Sequence, residues 1–173
     1  MIQIKNFFLR AIEEEDLLWM KDLRNDEKIW SNLGNFVFLN NYHQKKWYES
    51  INNKNNVLYL IFGYKKQNLG IVRITDIDRI NRSMCVGGDI LPKYHGHGYA
   101  KYMYQLIFKL GFDTWGMHRL WLLVLANNRI AKHVYLKMGF IEEGRQRSAI
   151  YKKGKFLDYI MMSILDNEYK KIK

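Results

Sequence analysis

The sequence has 173 residues, 48 % of them hydrophobic and 26 % charged, ordinary values for a globular protein that can bury a core. It has no apolar run of about 18 residues, so no membrane-spanning helix is predicted, and its single cysteine, Cys85, excludes an internal disulfide. The short apolar start soon turns acidic, which argues against a secretory signal, so we expect a cytoplasmic protein.

Positive charge is concentrated in the second half of the chain. The net charge is +11, and residues 1–90 hold 13 Lys and Arg against 11 Asp and Glu, whereas residues 91–173 hold 15 against 6. Such a field attracts anions, whether nucleic acid, acidic lipid or a polyphosphorylated small molecule. Charge alone does not choose among these ligands.

The first third of the chain predicts one strand and two helices. Loose alternation over 2–12 predicts the strand, and 13–26 predicts a helix with acidic residues in its first turn, where the helix dipole favours them. Residues 39–51 predict a second helix, with Asn40 or Asn41 as its N-cap.

Three strands bounded by turn residues are predicted next, at 57–64, 68–77 and 83–91, and a helix follows at 98–112. The apolar face of that helix, at i, i+3, i+4 and i+7, consists of Met103, Leu106, Ile107 and Leu110. The almost wholly apolar stretch 118–125 is typical of a strand buried on both faces.

The last part of the chain predicts one helix and two strands. The helix lies in 128–140 and ends at Gly139, and the two strands surround a turn at 152–155. The predicted core face of the helix consists of Ile130, Val134 and Met138. Antiparallel strands leading into a central β-α-β-α segment indicate a mixed α+β fold, and we expect one domain over 1–173.

Two glycines, Gly96 and Gly98, lie between the strand that ends near Leu91 and the following helix. A junction of this kind directs unpaired backbone N–H groups and the helix dipole at one point, which suits a phosphate group. The spacing matches neither the Walker nor the Rossmann motif, and glycines that merely turn the chain are an equally good interpretation of this loop by itself.

The wider context resembles a known family. The segment LPKYHGHGYA is similar to the coenzyme A loop of the GNAT N-acetyltransferases, with Lys93 where the family has Arg or Gln. FLRAIEEEDL and NRIAKHVYLKMGF resemble two further family motifs, and the end of the chain resembles the branch of ribosomal-protein alanine, spermidine and amino-sugar acetyltransferases. The resemblance implies the GNAT fold, a mixed central sheet of about seven strands flanked by helices, and direct acetyl transfer from acetyl-CoA to a primary amine.

The resemblance also implies where acetyl-CoA binds. Its pantetheine arm would pair with the backbone of the segment GGDIL, and its phosphates would lie at the glycine loop. The cofactor-binding residues implied in this way are Ile90, Leu91, Lys93, Tyr94, His95, Gly96, His97, Gly98, Tyr99, Ala100, Asn128 and Lys132. No metal is expected, because two histidines in a glycine loop do not make a metal site.

Two catalytic residues are implied. Tyr135 matches the general acid that protonates the leaving thiolate, although a packing tyrosine would fit the same helix position. The related branch often has a glutamate where this chain has Cys85, so the base is open; Asp89 could act through water or could be a satisfied strand-end aspartate. Backbone N–H groups near Gly88 and Ile90 would polarise the carbonyl.

The acceptor amine is expected in the first 60 residues. Arg24, Asn25, His43 and Trp47 resemble residues of acetyltransferases for nucleotide-linked amino sugars, whose anionic substrates suit the positive charge. A polyamine is disfavoured by charge, and a protein N-terminus stays open, as does a homodimer. An acetyl-CoA sensor without turnover is compatible with Cys85. No nucleic-acid partner is expected, because no nucleic-acid-binding motif appears, and no membrane partner is expected, because the chain has no long apolar run.

Overall fold

A mixed sheet of eight strands forms the centre of the protein, in the order β1-β2-β3-β4-β5-β6-β8-β7. The computed structural model describes residues 1–33 and 38–173. The strands are β1 (Ile2–Ile4), β2 (Phe7–Ala11), β3 (Leu58–Tyr64), β4 (Gln67–Asp78), β5 (Ser83–Ile90), β6 (Arg119–Leu125), β7 (Ile141–Lys152) and β8 (Lys155–Leu165). The α+β class is confirmed; there are eight strands because the predicted first strand is interrupted by a turn at Lys5, whose φ is +53°.

The helices in the described residues are α1 (Leu17–Asn25), α2 (Glu27–Trp30), α3 (Asn41–Asn52), α4 (Tyr99–Phe108), α5 (Arg129–Lys137) and α6 (Asp166–Ile172). The Asn40 side chain caps α3 by accepting from the His43 amide at 2.9 Å, as predicted. Helices α2 and α6 were not predicted, because four and seven residues carry too little periodicity. None of these helices is long and apolar enough to cross a membrane.

One strand pair differs from all the others and opens the sheet. Neighbouring strands are antiparallel except β5 and β6, which are parallel and pair only from Ser83 to Cys85, opposite Arg119 to Trp121. Beyond Cys85 the two strands separate. The edge of β5 from residue 86 to residue 90 is therefore free to pair with a ligand on the side that faces β6.

Helices cover both faces of the sheet. On one face, Ile61 and Ile71 pack with Met20 and Leu23 of α1. On the other face, residues one position along the same strands, such as Phe62 and Val72, pack with α4. This alternation follows from the two-residue period of a strand.

The predicted apolar face of the helix at 98–112 is confirmed, since its four members are all buried: three lie on α4, and Leu110 lies on the π-helical segment Lys109–Thr114 that continues it. The predicted face of α5 is wrong at Ile130, whose side chain is 82 % exposed. Helix α5 is rotated so that Ala131, Val134 and Tyr135 pack on the core. This orientation turns Tyr135 towards Cys85 and Asp89 of β5.

Candidate functional site

Two cavities lie on opposite faces of β5, beside the point where β5 and β6 separate. The glycine-loop cavity, about 790 Å³, contains Gly88 and Ile90 in its lining, and the arginine cavity, about 520 Å³, contains Asp89. Successive residues of a strand point to opposite faces, so three consecutive residues of β5 serve both cavities. The backbone of β5 separates them.

The glycine loop presents an anion-binding cradle to the first cavity. Gly98, the N-cap of α4, has φ +73° and Gly96 has φ +80°, a left-handed conformation that favours glycine. A Cβ built on either glycine would meet no protein atom within 4 Å, so the space above the loop is open. Among the described backbone hydrogen bonds outside regular elements, none has a donor from residue 96 to residue 100. Free N–H groups at a helix N-terminus fit the diphosphate of coenzyme A.

Eight of the twelve predicted cofactor-binding residues line this cavity: Ile90, Tyr94, His95, Gly96, Gly98, Tyr99, Ala100 and Asn128. Leu91 does not, because its side chain packs with the apolar cluster on the other face of the sheet. Lys93 does not either, because its ammonium lies 4.9 Å from the centre of the Tyr94 ring. These two side chains therefore lie outside the cavity lining, and their role in binding the cofactor stays a prediction.

His97 and Lys132 also lie outside the cavity lining. The His97 ring places Nδ1 2.9 Å from the carbonyl oxygen of His95, and Lys132 forms an ion pair with Glu142 at 2.6 Å. Both side chains are therefore held by neighbours. The described residues contain no cluster of three or more His, Cys, Asp or Glu that could hold a metal ion.

Tyr135 lines the glycine-loop cavity, as predicted. Its ring meets the ring of Tyr104 edge to face, with centroids 5.4 Å apart. Burial raises the pKa of Tyr135 above its ordinary value of 10.0, so the phenol keeps its proton at neutral pH. A protonated phenol in this cavity can act as a general acid.

The arginine cavity contains an ion pair that the sequence analysis missed. Arg73 of β4 donates to the Asp89 carboxylate, and Gly87 leaves room for the guanidinium, since a Cβ there would lie 3.3 Å from it. Burial by itself would lower the pKa of Arg73, but the charge and hydrogen bond of Asp89 outweigh burial and raise it. The only sign of this ion pair in the sequence is a single arginine, Arg73, in the apolar strand GIVRITDI.

Arg24 and Trp47, two of the predicted acceptor-binding residues, line the arginine cavity. No described carboxylate lies within 4.0 Å of the Arg24 guanidinium. Burial and the nearby charge of Arg73 lower the pKa of Arg24, although a guanidinium stays protonated in proteins. The charged residues described in the lining are thus two arginines and one aspartate, Asp89.

Asn25 and His43, the other two predicted acceptor-binding residues, are not part of the described lining of this cavity. The Asn25 amide donates to the Leu39 carbonyl at 2.8 Å and accepts from the Leu39 amide at 3.0 Å, so it joins α1 to the segment before α3. His43 lies on the exposed side of α3, because Gln44 and Trp47 face inward. Sequence resemblance identified the two helices but not which side chains face the cavity.

The end of α2 closes both cavities, and the β7–β8 turn holds it in place. Asn32 contributes to both linings. The Lys152 ammonium donates to the carbonyls of Trp30 at 2.9 Å and Ser31 at 2.8 Å, and also to that of Leu33. A lysine near the end of the chain therefore positions a wall that both cavities share, a contact that the sequence did not predict.

Comparison with known proteins identifies the class. The sequence model of the acetyltransferase (GNAT) domain matches residues 6–141, so the chain belongs to the GNAT acetyltransferase family. The structure has that family's fold, and the predictions of the fold and of an N-acetyltransferase are confirmed.

Similar proteins include spermidine acetyltransferases. The chain is 28 % identical to the spermidine N(1)-acetyltransferase of Vibrio cholerae over 93 % of this chain and 94 % of that protein. It is 26 % identical to the corresponding enzyme of Escherichia coli K12 over 93 % of this chain and 87 % of that protein. The crystal structure of the Vibrio cholerae spermidine N-acetyltransferase in complex with CoA and spermine superposes with a TM-score of 0.91, at 26 % identity, covering 95 % of this chain and 98 % of that chain.

Proposed function

We propose that this acetyltransferase binds acetyl-CoA in the glycine-loop cavity and transfers the acetyl group to a primary amine of a small molecule in the arginine cavity. The observation that carries the proposal is the meeting of the two cavities at β5. An anion cradle and a protonated Tyr135 lie on one side, and a charged pocket around Asp89 lies on the other.

In this proposal, different residues bind the donor, protonate the leaving group and bind the amine. Acetyl-CoA, when bound, supplies an activated acetyl thioester. The free N–H groups of the glycine loop bind its diphosphate, the unpaired edge of β5 holds the pantetheine arm, and Tyr135 provides a proton for the departing sulfur. Asp89, ion-paired with Arg73, is suited to orient the amine and to accept its proton through water.

The comparisons favour a polyamine as the acceptor. Relatives that cover nearly the whole chain bear the name spermidine N(1)-acetyltransferase, and the similar crystal structure contains spermine. The predicted preference for a nucleotide-linked amino sugar finds no support among them. Spermidine is therefore the first acceptor to test.

A second acceptor class is favoured by Arg24. Its guanidinium lies in the arginine cavity without a described carboxylate partner, and a polycation would meet two arginines there. A desolvated unpaired cation is costly, and an anionic group on the ligand would relieve that cost. An amine that also carries a carboxylate or phosphate would satisfy this site.

The release of free thiol from acetyl-CoA tests both proposals. The acceptors are spermidine, an amino acid, an amino-sugar phosphate and a neutral alkylamine, and the variants are Arg24→Gln and, as the control on an exposed helix face, His43→Gln. If the acceptor is anionic, Arg24→Gln raises its KM about tenfold and His43→Gln does not. If the acceptor is a polyamine, Arg24→Gln leaves the KM unchanged or lowers it.

Binding of acetyl-CoA without thiol release on any amine would overturn the catalytic proposal and favour the sensor. The cytoplasmic location, the homodimer and the single domain over 1–173 stay predictions.

A further inference from the structure

The buried hydroxyl of Tyr104 takes no part in the proposed chemistry. Tyr104 of α4 is 1 % exposed, and its hydroxyl oxygen is the only buried side-chain polar atom in the described chain without a hydrogen-bond partner. Its ring packs on Phe108 and Phe140, with centroids 6.3 and 5.8 Å away. An unsatisfied buried hydroxyl destabilises a fold, so phenylalanine would be the better residue for packing alone.

The position of Tyr104 points to a functional role. Tyr104 lines the glycine-loop cavity together with Tyr135, and the two rings are in edge-to-face contact. The other ionisable groups that act on Tyr135 are Arg73 of β4 and Asp89 and Cys85 of β5. Burial, and secondly Tyr135, raise the pKa of Tyr104, so Tyr104 remains a hydrogen-bond donor when Tyr135 loses its proton.

We propose that Tyr104 is a positioning residue whose hydroxyl donates a hydrogen bond to the Tyr135 oxygen when Tyr135 becomes a phenolate. The inference rests on the proposed function. As the C–N bond forms and the C–S bond breaks, the sulfur takes the Tyr135 proton, and the amine proton passes to water. Tyr104 stabilises the phenolate until water returns a proton to Tyr135.

Tyr104→Phe separates this role from packing. The variant loses only the hydroxyl, so its midpoint of thermal unfolding stays the same or rises. The proposal predicts that kcat nevertheless falls about tenfold, while the KM for acetyl-CoA is unchanged. Tyr102→Phe is the control, since Tyr102 lies on the same helix, stacks on Phe7 at 4.1 Å and is not in the cavity lining.

A second measurement does not depend on turnover. Carbon-13 NMR of protein labelled at the tyrosine Cζ, with Tyr135 assigned by the signal lost in Tyr135→Phe, follows the ionisation of Tyr135. A donor to the phenolate lowers its pKa, so the pKa of Tyr135 rises in Tyr104→Phe and not in Tyr102→Phe. An equal pKa in Tyr104→Phe and the parent protein overturns the proposal, whether or not an acceptor has been found.

The double variant tests the route of the effect. If Tyr104 acts through Tyr135, then Tyr104→Phe has no further effect on kcat in the Tyr135→Phe background. An equal loss of kcat in both backgrounds would show that Tyr104 acts elsewhere and would refute the inference. Absence of thiol release from the parent protein would instead contradict the proposed function, with the NMR result still deciding on Tyr104.

Discussion

The two faces of β5 differ in how their chemistry is assembled. The glycine-loop face consists mainly of residues from two stretches, the loop with α4 and the helix α5, within about 40 residues of sequence. The arginine face combines Arg24 of α1, Trp47 of α3, Arg73 of β4 and Asp89 of β5. Under the proposed function, the first face binds acetyl-CoA, which the whole family uses, and the second face selects the molecule that receives the acetyl group.

This difference explains why the acceptor is harder to assign than the donor. A phosphate-binding loop needs glycines at the start of a helix, and this local pattern can be recognised in the sequence. An acceptor pocket needs a balance of charges from distant segments, such as the Arg73–Asp89 pair with Arg24 beside it. Four experiments test whether the two faces of β5 differ in this way.

The largest effect is expected from Asp89→Ala. The substitution leaves Arg73 largely buried without its counter-charge, so the free energy of unfolding, measured with urea, should fall by about 3–5 kcal/mol. The control Glu142→Ala breaks the more exposed pair with Lys132 and should cost at most about 1 kcal/mol. Similar losses in both variants would show that the arginine face does not depend on a desolvated ion pair.

The next largest effect is expected from Tyr135→Phe. Removal of the general acid should lower kcat for thiol release about a hundredfold, while the Kd for acetyl-CoA, measured by calorimetry, stays nearly unchanged. The pKa of Tyr135 is raised by burial, so the proton is present throughout the neutral range. An unaltered kcat would remove Tyr135 from the acid role.

A smaller effect is expected from Gly98→Ala. Its φ of +73° disfavours a side chain, and a Cβ would occupy the open space above the loop, so the Kd for acetyl-CoA should rise roughly tenfold. The matched control is Gly154→Ala in the β7–β8 turn, where φ is +81° and no protein atom lies within 4 Å of the built Cβ. Equal Kd values in the two variants would contradict the placement of the diphosphate.

The smallest effect is expected in the stability at high pH. The pKa values of Tyr104 and Tyr135 are raised above 10.0 in the folded state. The contribution of the two protonated phenols to the free energy of unfolding is therefore complete below pH 10.0. It is lost as the pH rises through the folded pKa values, because the unfolded chain ionises first. Urea unfolding at about pH 9 and about pH 11 should therefore show a smaller loss in the variant with both tyrosines changed to phenylalanine than in the parent protein; equal losses would indicate that burial does not act on these phenols.

The pattern of residues was sufficient for most of the fold. Alternation and turn residues located the strands from β3 to β8, and the spacing of Met103, Leu106 and Ile107 located the buried face of α4. The exposed Ile130 shows where such reasoning fails. Helical spacing alone assigned Ile130 to the core, whereas in the folded protein Ile130 is exposed and Tyr135 faces the glycine-loop cavity.

Patterns among residues close in the chain were enough to predict most of the order of elements and the glycine loop, and the sequence motifs were enough to recognise the family. Several side-chain contacts follow only from the tertiary structure. Arg73 reaches Asp89, and Arg24 faces the same cavity whereas Asn25 and His43 do not. Lys152 binds the end of α2. The physical reason is distance. Strand period and helix dipole act locally, whereas ion pairs and burial depend on which distant segments the packed sheet brings together.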